Sequence, residues 1–179
     1  VVRQVDGYDA TLYFHDGSGN LSSSGQDFYQ YVSYPDLLIR NAVADSDGDG
    51  VPEWVGMGYN CDGNSSSYQD LCIRQYDLGT GQFLTSGVSG VGDYNHGRVV
   101  VGDLNGDGYD DVVSSKYSFH YYDIFRGTLS NSGQVWVFYG GPAGITATTG
   151  SDADWTAYGD NAQTSSSLRF GKHLGIADV

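Results

Sequence analysis

Basic residues are scarce in this chain, which has eight lysines and arginines among 179 residues, against 22 aspartates and glutamates. The formal net charge of −14 argues against nucleic acid as a partner, because phosphate backbones are bound through clustered lysine and arginine side chains. Anionic membrane surfaces are disfavoured for the same reason. Long apolar runs are also missing. None approaches the roughly 20 residues that a helix needs to span a bilayer, so we expect no membrane insertion.

Cysteine is limited to Cys61 and Cys72, which flank a polar segment rich in serine and aspartate. In an oxidising compartment a disulfide between them would close a hairpin loop, and two free thiols are the alternative. Asn20 and Asn64 begin Asn-x-Ser sequons, which are compatible with N-glycosylation. Together these features favour a secreted or cell-surface protein.

Methionine occurs once and proline three times, whereas the chain holds 27 glycines and 15 tyrosines. Aromatic and β-branched residues fill pleated surfaces and glycine permits tight turns, so this composition predicts an all-β chain of short strands. The clearest predicted strands are residues 11–14, 54–59, 71–78, 134–139 and 145–148. Polar connections are expected at residues 21–30 and in the Ser/Thr/Asp-rich stretch that follows residue 148.

Two acidic loops stand out against this background. Loop 1 (residues 45–53) reads DSDGDGVPE and loop 2 (residues 103–111) reads DLNGDGYDD, and the two loops begin 58 residues apart. Oxygen-bearing side chains occupy the first, third, fifth and ninth positions of both loops. Ca²⁺ takes six to eight oxygen ligands in a tolerant geometry, so alternate carboxylates around a glycine-broken turn predict a calcium site.

The predicted ligands comprise four side chains and one backbone carbonyl in each loop. In loop 1 they are Asp45, Asp47, Asp49, the carbonyl of Val51, and Glu53. In loop 2 they are Asp103, Asn105, Asp107, the carbonyl of Tyr109, and Asp111.

Other interpretations of these loops are less consistent with the sequence. An EF-hand would carry glutamate at the twelfth position between two helices, whereas Gly56 and Ser114 stand there and both flanks are β-like. Magnesium demands stricter octahedral geometry and usually keeps several waters. Solvated Asp-Gly turns without metal are the remaining alternative, which the second copy at the matching place makes less favourable.

The loops recur within a larger repeat of strand, acidic loop, strand, excursion, strand, turn and strand. A period of about 60 residues with four short strands is typical of a β-propeller blade. We therefore expect one partial β-propeller domain over residues 1–179, built of four-stranded antiparallel blades. About three blades are expected, at residues 1–30, 31–90 and 91–150, and a further blade begins within 165–179, where Asp178 would start an incomplete third metal loop.

Three features together resemble the FG-GAP repeat family: the two acidic loops, the Phe170-Gly171 pair ahead of residues 176–178, and the GQVWVFYGG stretch at residues 133–141. This family builds the β-propeller of integrin α subunits and of many secreted proteins. The resemblance implies calcium in the loops and extracellular ligand binding. A closed propeller needs four to eight blades, so the chain is expected to be part of a longer polypeptide or to assemble with further copies.

Catalytic motifs are not evident. The sequence has no GxSxG elbow, HExxH helix or P-loop, and its four histidines are scattered, so we expect no enzyme. The excursion after loop 2 is instead rich in aromatic residues that could stack on sugar rings or contact a protein, with packing between blades as the alternative. The candidate ligand-contact residues are Tyr117, Phe119, His120, Tyr121 and Tyr122.

Two functional hypotheses follow from these observations. The first is a calcium-binding extracellular propeller module for adhesion or recognition, with a protein or carbohydrate ligand. The second is a structural subunit of an extracellular fibre or coat, in which neighbouring copies of the chain complete the propeller.

Overall fold

The computed structural model describes all of loop 2, and loop 1 except for residues 51 and 52. The described residues are 2–4, 9–15, 21–29, 41–50, 53–58, 70–77, 82–88, 90–91, 97–123, 127–129, 132–159 and 169–177. The chain divides into two compact units, Val1–Leu38 and Ile39–Val179.

The first unit contains a three-stranded antiparallel sheet of β1 (Val2–Gln4), β2 (Asp9–His15) and β3 (Leu21–Tyr29) in the order β1-β2-β3. The prediction that residues 21–30 form a polar connection was wrong, because most of them form β3. Serine and glycine carry no strand signal of their own, but pairing with β2 satisfies those backbone N–H and C=O groups of this segment that face β2.

The second unit begins with the central sheet, which consists of β4 (Asn41–Ala44), β5 (Glu53–Gly58), β6 (Asp70–Asp77) and β7 (Gln82–Val88). These strands follow one another in an antiparallel meander. Ala44 pairs with Glu53, so loop 1 is the connection between β4 and β5. The repeat inferred from the sequence therefore describes this sheet correctly.

The C-terminal sheet repeats that path with β8 (Gly97–Gly102), β9 (Asp111–Lys116), β12 (Gln134–Phe138) and β13 (Trp155–Tyr158). Loop 2 connects β8 to β9, as loop 1 connects β4 to β5. A two-stranded ribbon of β10 (Tyr121–Asp123) and β11 (Gly127–Leu129) lies within the excursion that follows β9.

The fourth strand of this sheet was misplaced by the sequence. It was expected at residues 145–148, whereas β13 begins at Trp155 within the stretch expected to be a linker. Ile145 is buried in the core from an irregular segment, so its apolar side chain reflects packing rather than strand pairing. Thr149 and Asp152 then form a capping box around the 3₁₀ helix Gly150–Asp152, which reverses the chain ahead of β13.

The hydrophobic core of the second unit lies between the central and C-terminal sheets. The central sheet contributes Ala44, Val55 and Val88, and the C-terminal sheet contributes Val99, Val112, Trp136 and Phe138. Strands β4 and β5 lie against β8, so the first strands of the two sheets are neighbours.

The opposite face of the C-terminal sheet is covered in part by residues 169–177. Leu174 packs on Val113, Val135 and Val137, and the Ser115 hydroxyl donates a hydrogen bond of 2.7 Å to the carbonyl of Gly171. All six residues of β9 are buried because both faces of this strand are covered.

The described part of the chain is all-β, with antiparallel sheets and one short 3₁₀ helix, so the all-β prediction is confirmed there. The closure of these sheets into a propeller of about three blades, and the blade boundaries, remain predictions.

Candidate metal centre

Loop 1 gathers four carboxylates between β4 and β5. One oxygen from each of Asp45, Asp47, Asp49 and Glu53 lies within 4.8 Å of the others. Gly48 (φ 72°) and Gly50 (φ 82°) adopt left-handed backbone conformations that suit glycine, and these let the loop curl around the carboxylates. Val51, whose carbonyl is a predicted ligand, lies outside the described residues.

Hydrogen bonds orient the carboxylates of loop 1. The backbone N–H of Gly50 donates to Asp45 Oδ2 at 3.1 Å, and the backbone N–H of Asp49 donates to Asp47 Oδ1 at 3.1 Å. Within the described residues, Asp45 Oδ1 is a buried oxygen without a hydrogen-bond partner. A buried carboxylate oxygen in this position costs free energy unless a cation or a donor satisfies it. The residues of loop 1 therefore fit a hard divalent cation.

Glu53 closes loop 1 from the first position of β5 and is only 3% exposed. Its Oε2 accepts hydrogen bonds of 2.7 Å from both the backbone N–H and the hydroxyl of Ser46. Burial raises the pKa of Glu53, the two bonds from Ser46 counteract this rise, and the charges of Asp47 and Asp45 add to it. A bound cation would favour the ionised form and offset the cost of burying this charge.

Loop 2 has the same outline, but its oxygens accept more backbone N–H groups. Asp103 Oδ1 accepts from Gly106 and Asp107, and Asp103 Oδ2 accepts from Gly108 at 2.9 Å. The side chains of Asn105 and Asp107 are hydrogen-bonded to each other at 3.0 Å. These bonds stabilise the turn of loop 2. The ligand role of the Tyr109 carbonyl stays a prediction.

Asp111 closes loop 2 from the first position of β9 and is fully buried. Its Oδ1 accepts the backbone N–H of Gly140 at 2.9 Å, and its Oδ2 accepts that of Leu104 at 2.8 Å. Burial raises the pKa of Asp111 and the two N–H donors oppose that rise, while the charges of Asp107 and Asp103 reinforce it. Asp111 thus differs from Glu53, since each of its oxygens is held by a backbone group.

The two loops are in direct contact, which the sequence did not predict. The backbone N–H of Asp110 donates to the Asp45 carbonyl at 3.0 Å, and the backbone N–H of Asp45 donates to Asp110 Oδ2 at 2.9 Å. The segment after β12 joins them, because the Gly141 N–H donates to the Ser46 carbonyl at 2.9 Å. The acidic loops therefore form one structure across the boundary between two sheets.

The aromatic excursion after loop 2 divides into packed and exposed residues. The Phe119 ring meets Trp136 edge-on, with centroids 5.9 Å apart, which matches the packing alternative for this residue. The guanidinium of Arg98 lies over the Tyr117 ring at 5.5 Å. His120 is exposed, and Tyr121 and Tyr122 lie in β10.

Several other predicted sites fall outside the described residues, namely Asn20, Cys61, Asn64 and Asp178. Cys72 lies in β6, where its backbone pairs with Gly56 and Gly87. The disulfide, the glycosylation sites and the third metal loop stay predictions.

A comparison with protein-family models finds a match between residues 97–138 and the family described as FG-GAP repeat. This segment is similar to an FG-GAP repeat. It runs from β8 through loop 2 to the end of β12, so the family resemblance inferred from the sequence is confirmed here. A comparison with characterised proteins found no significant match.

FG-GAP repeats occur in β-propeller-type modules of extracellular proteins and often bind calcium. The acidic cluster of loop 1 lies outside the matched segment, in the preceding copy of the same strand pattern. Among the described residues, no helix has both the length and the apolar character needed to cross a membrane.

Proposed function

We propose that this chain is a calcium-binding β-propeller module of an extracellular protein, and that it serves recognition or adhesion rather than catalysis. Its ligand would be a protein or a glycan. The proposal combines the FG-GAP repeat at residues 97–138 with the acidic cluster of loop 1.

The calcium part of the proposal is supported above all by the carboxylate group of loop 1. Four carboxylates within 4.8 Å of one another repel each other, and the buried Asp45 Oδ1 has no partner among the described residues. Ca²⁺ would satisfy this oxygen and neutralise the group. The cation would then hold the β4–β5 hairpin closed, which is a structural rather than a catalytic role.

The propeller part is supported by the relation between the two four-stranded sheets. Both follow the same antiparallel path, both carry their acidic loop between the first and second strands, and their first strands are neighbours. Adjacent propeller blades share these features, because each blade packs its face on the next with its first strand innermost.

Assembly with further copies is the second candidate, and one surface favours it. Strand pairing places Trp155 next to Val137 at the edge of the C-terminal sheet, on the face opposite the core. Val113 and Val137 on this face are buried, whereas Trp155 is 51% exposed. Large exposed aromatic side chains are enriched where proteins meet a partner.

Thermal unfolding with and without chelator tests the calcium proposal. One cation at about 100 times its Kd stabilises the folded state by about 2.7 kcal/mol. EGTA should therefore lower the melting temperature by roughly 8 °C for each site lost. The double variant Asp49→Ala/Asp107→Ala should lose this response. Asp154→Ala removes an exposed carboxylate outside both loops and should keep it. Identical wild-type curves with calcium and EGTA would refute a structural cation.

Light scattering and an array of glycans and extracellular proteins separate recognition from assembly. A monomer that binds one class of arrayed ligand in calcium, and not in EGTA, supports recognition. Concentration-dependent growth into large particles, lost in Trp155→Ser, supports the structural subunit instead.

A further inference from the structure

We infer that loops 1 and 2 bind their cations as a thermodynamically coupled pair, through the contact that Asp110 and Gly140 make with loop 1. This inference rests on the proposed calcium function and adds a property to it. Occupancy of one loop should raise the affinity of the other.

The contact begins at the first ligand of loop 1. The backbone of Asp45 is held on both sides by Asp110, which accepts its N–H and donates to its carbonyl. Asp110 stands directly before Asp111, the closing carboxylate of loop 2. A cation that orders the end of loop 2 therefore also orders the residue that positions Asp45.

A second path joins the closing carboxylates of the two loops. Glu53 accepts from Ser46, the carbonyl of Ser46 accepts from Gly141, and the neighbouring Gly140 donates to Asp111. The closing carboxylates are thus linked through Ser46 and the Gly140–Gly141 backbone.

The fit around Gly140 shows how close this contact is. A Cβ on Gly140 would lie 2.5 Å from the Asp110 carbonyl oxygen and 2.8 Å from the Ser46 carbonyl oxygen. The two loops would have to separate to admit a methyl group. A Cβ on Gly141 meets nothing within 4 Å, so this glycine offers a matched control.

The expected sign of the coupling is positive. Ordering the shared backbone costs conformational entropy once, so the second cation binds to a loop that the first has already ordered. Repulsion between two cations acts in the other direction, but the intervening carboxylates and solvent screen it. Coupling of this kind between sites changes affinity by about 5–150-fold, and we expect about tenfold here.

Calcium titration by calorimetry on the chelator-treated full chain measures the coupling factor. Asp103→Ala/Asp107→Ala leaves loop 1, and Asp47→Ala/Asp49→Ala leaves loop 2. The factor is the product of the two wild-type association constants divided by the product of the two single-loop constants. It should be about ten in the wild type and in Gly141→Ala, and about one in Gly140→Ala, with each single-loop reference made in the same background.

Asp110→Ala provides a second route to the same result, because it removes only the carboxylate that holds Asp45. It decides the matter if Gly140→Ala fails to fold by circular dichroism. Two saturable sites with a wild-type factor of one or less would overturn the coupling and leave the calcium proposal standing. A factor that persists in Asp110→Ala and in a folded Gly140→Ala would overturn the assigned route. The absence of saturable binding in either loop would overturn both proposals.

Discussion

Converting the closing carboxylate to its amide should weaken calcium binding in loop 1 and lower the stability of the fold in loop 2. In Glu53→Gln the amide oxygen can take the place of Oε2 and keep both hydrogen bonds from Ser46. The NH₂ group then replaces the oxygen available to a cation, and a buried charge is removed. Without calcium we expect this variant to stay within about 1 kcal/mol of the wild type. Its loop 1 should lose about tenfold or more in calcium affinity.

Asp111→Asn makes the same chemical change where no orientation of the amide fits. Both oxygens of Asp111 accept backbone N–H groups, so the new NH₂ must face the N–H of either Gly140 or Leu104. Leaving a buried donor without its acceptor costs about 1–3 kcal/mol. At about 3 °C per kcal/mol, this lowers the melting temperature by roughly 3–9 °C even when no cation is bound.

Differential scanning calorimetry in excess EGTA, followed by the same scans in excess calcium, separates the two effects. In EGTA the wild type and Glu53→Gln should have similar melting temperatures, and Asp111→Asn should melt at a clearly lower temperature. The calcium scans should show a reduced response in Glu53→Gln. Equal loss of stability by both amides in EGTA would refute the assignment of their hydrogen bonds, as would a larger loss in Glu53→Gln.

Three further predictions concern packing and pH. Phe119→Ala should lower the free energy of unfolding in urea by about 2 kcal/mol, because the Phe119 ring packs on the core. Exposed His120 is the control, and His120→Ala should change it by less than about 0.5 kcal/mol. Equal effects of the two substitutions would contradict the packing role of Phe119. Gly171→Ala should destabilise the protein by more than about 1 kcal/mol, since Gly171 has a φ of 78° and a Cβ there would lie 2.8 Å from Ser115 Cβ. A Cβ on Gly175 would meet nothing within 4 Å, so Gly175→Ala should not destabilise it. Burial raises the pKa of both closing carboxylates, so the folded state binds more protons than the unfolded state just above their ordinary pKa values. In EGTA the stability contributed by these two carboxylates should therefore fall as pH rises from their ordinary pKa values to their raised ones. The calcium-induced rise in melting temperature should grow over the same pH range. A pH series of melting curves with the reverse slopes would contradict both expectations.

The acidic loops were predictable because their signal is local. Alternate oxygen ligands and left-handed glycines fall within the nine residues of each loop, and in loop 1 the structure brings the four carboxylates within 4.8 Å of one another. The four-stranded path of the central sheet was predictable for a similar reason, since each strand pairs with its neighbour in sequence.

Strands β3 and β13 were missed because their stability comes from partners rather than from composition. Nothing in a serine-rich stretch favours a strand until β2 lies beside it, and Trp155–Tyr158 becomes a strand by pairing with β12. Ile145 led to the opposite error, a strand predicted where the structure has an irregular segment. An apolar side chain can anchor an irregular segment to the core as well as a strand. These errors concern contacts between segments that sequence periodicity does not report.

Two neighbouring aspartates of loop 2, Asp110 and Asp111, make different contacts. Asp110 and Asp111 look equivalent in sequence, yet Asp111 closes its own loop while Asp110 holds the first ligand of loop 1. The corresponding eighth position of loop 1 is Pro52, which has neither a backbone N–H nor a carboxylate. Pro52 therefore cannot make the two hydrogen bonds that Asp110 makes, one through its backbone N–H and one through its carboxylate. Only loop 2 can contact another loop through its eighth residue in this way. Side chains alternate along an extended chain, so the Asp110 carboxylate contacts loop 1 while the Asp111 carboxylate closes loop 2. The acid at the eighth position, next to the closing carboxylate, is therefore the residue through which loop 2 contacts loop 1.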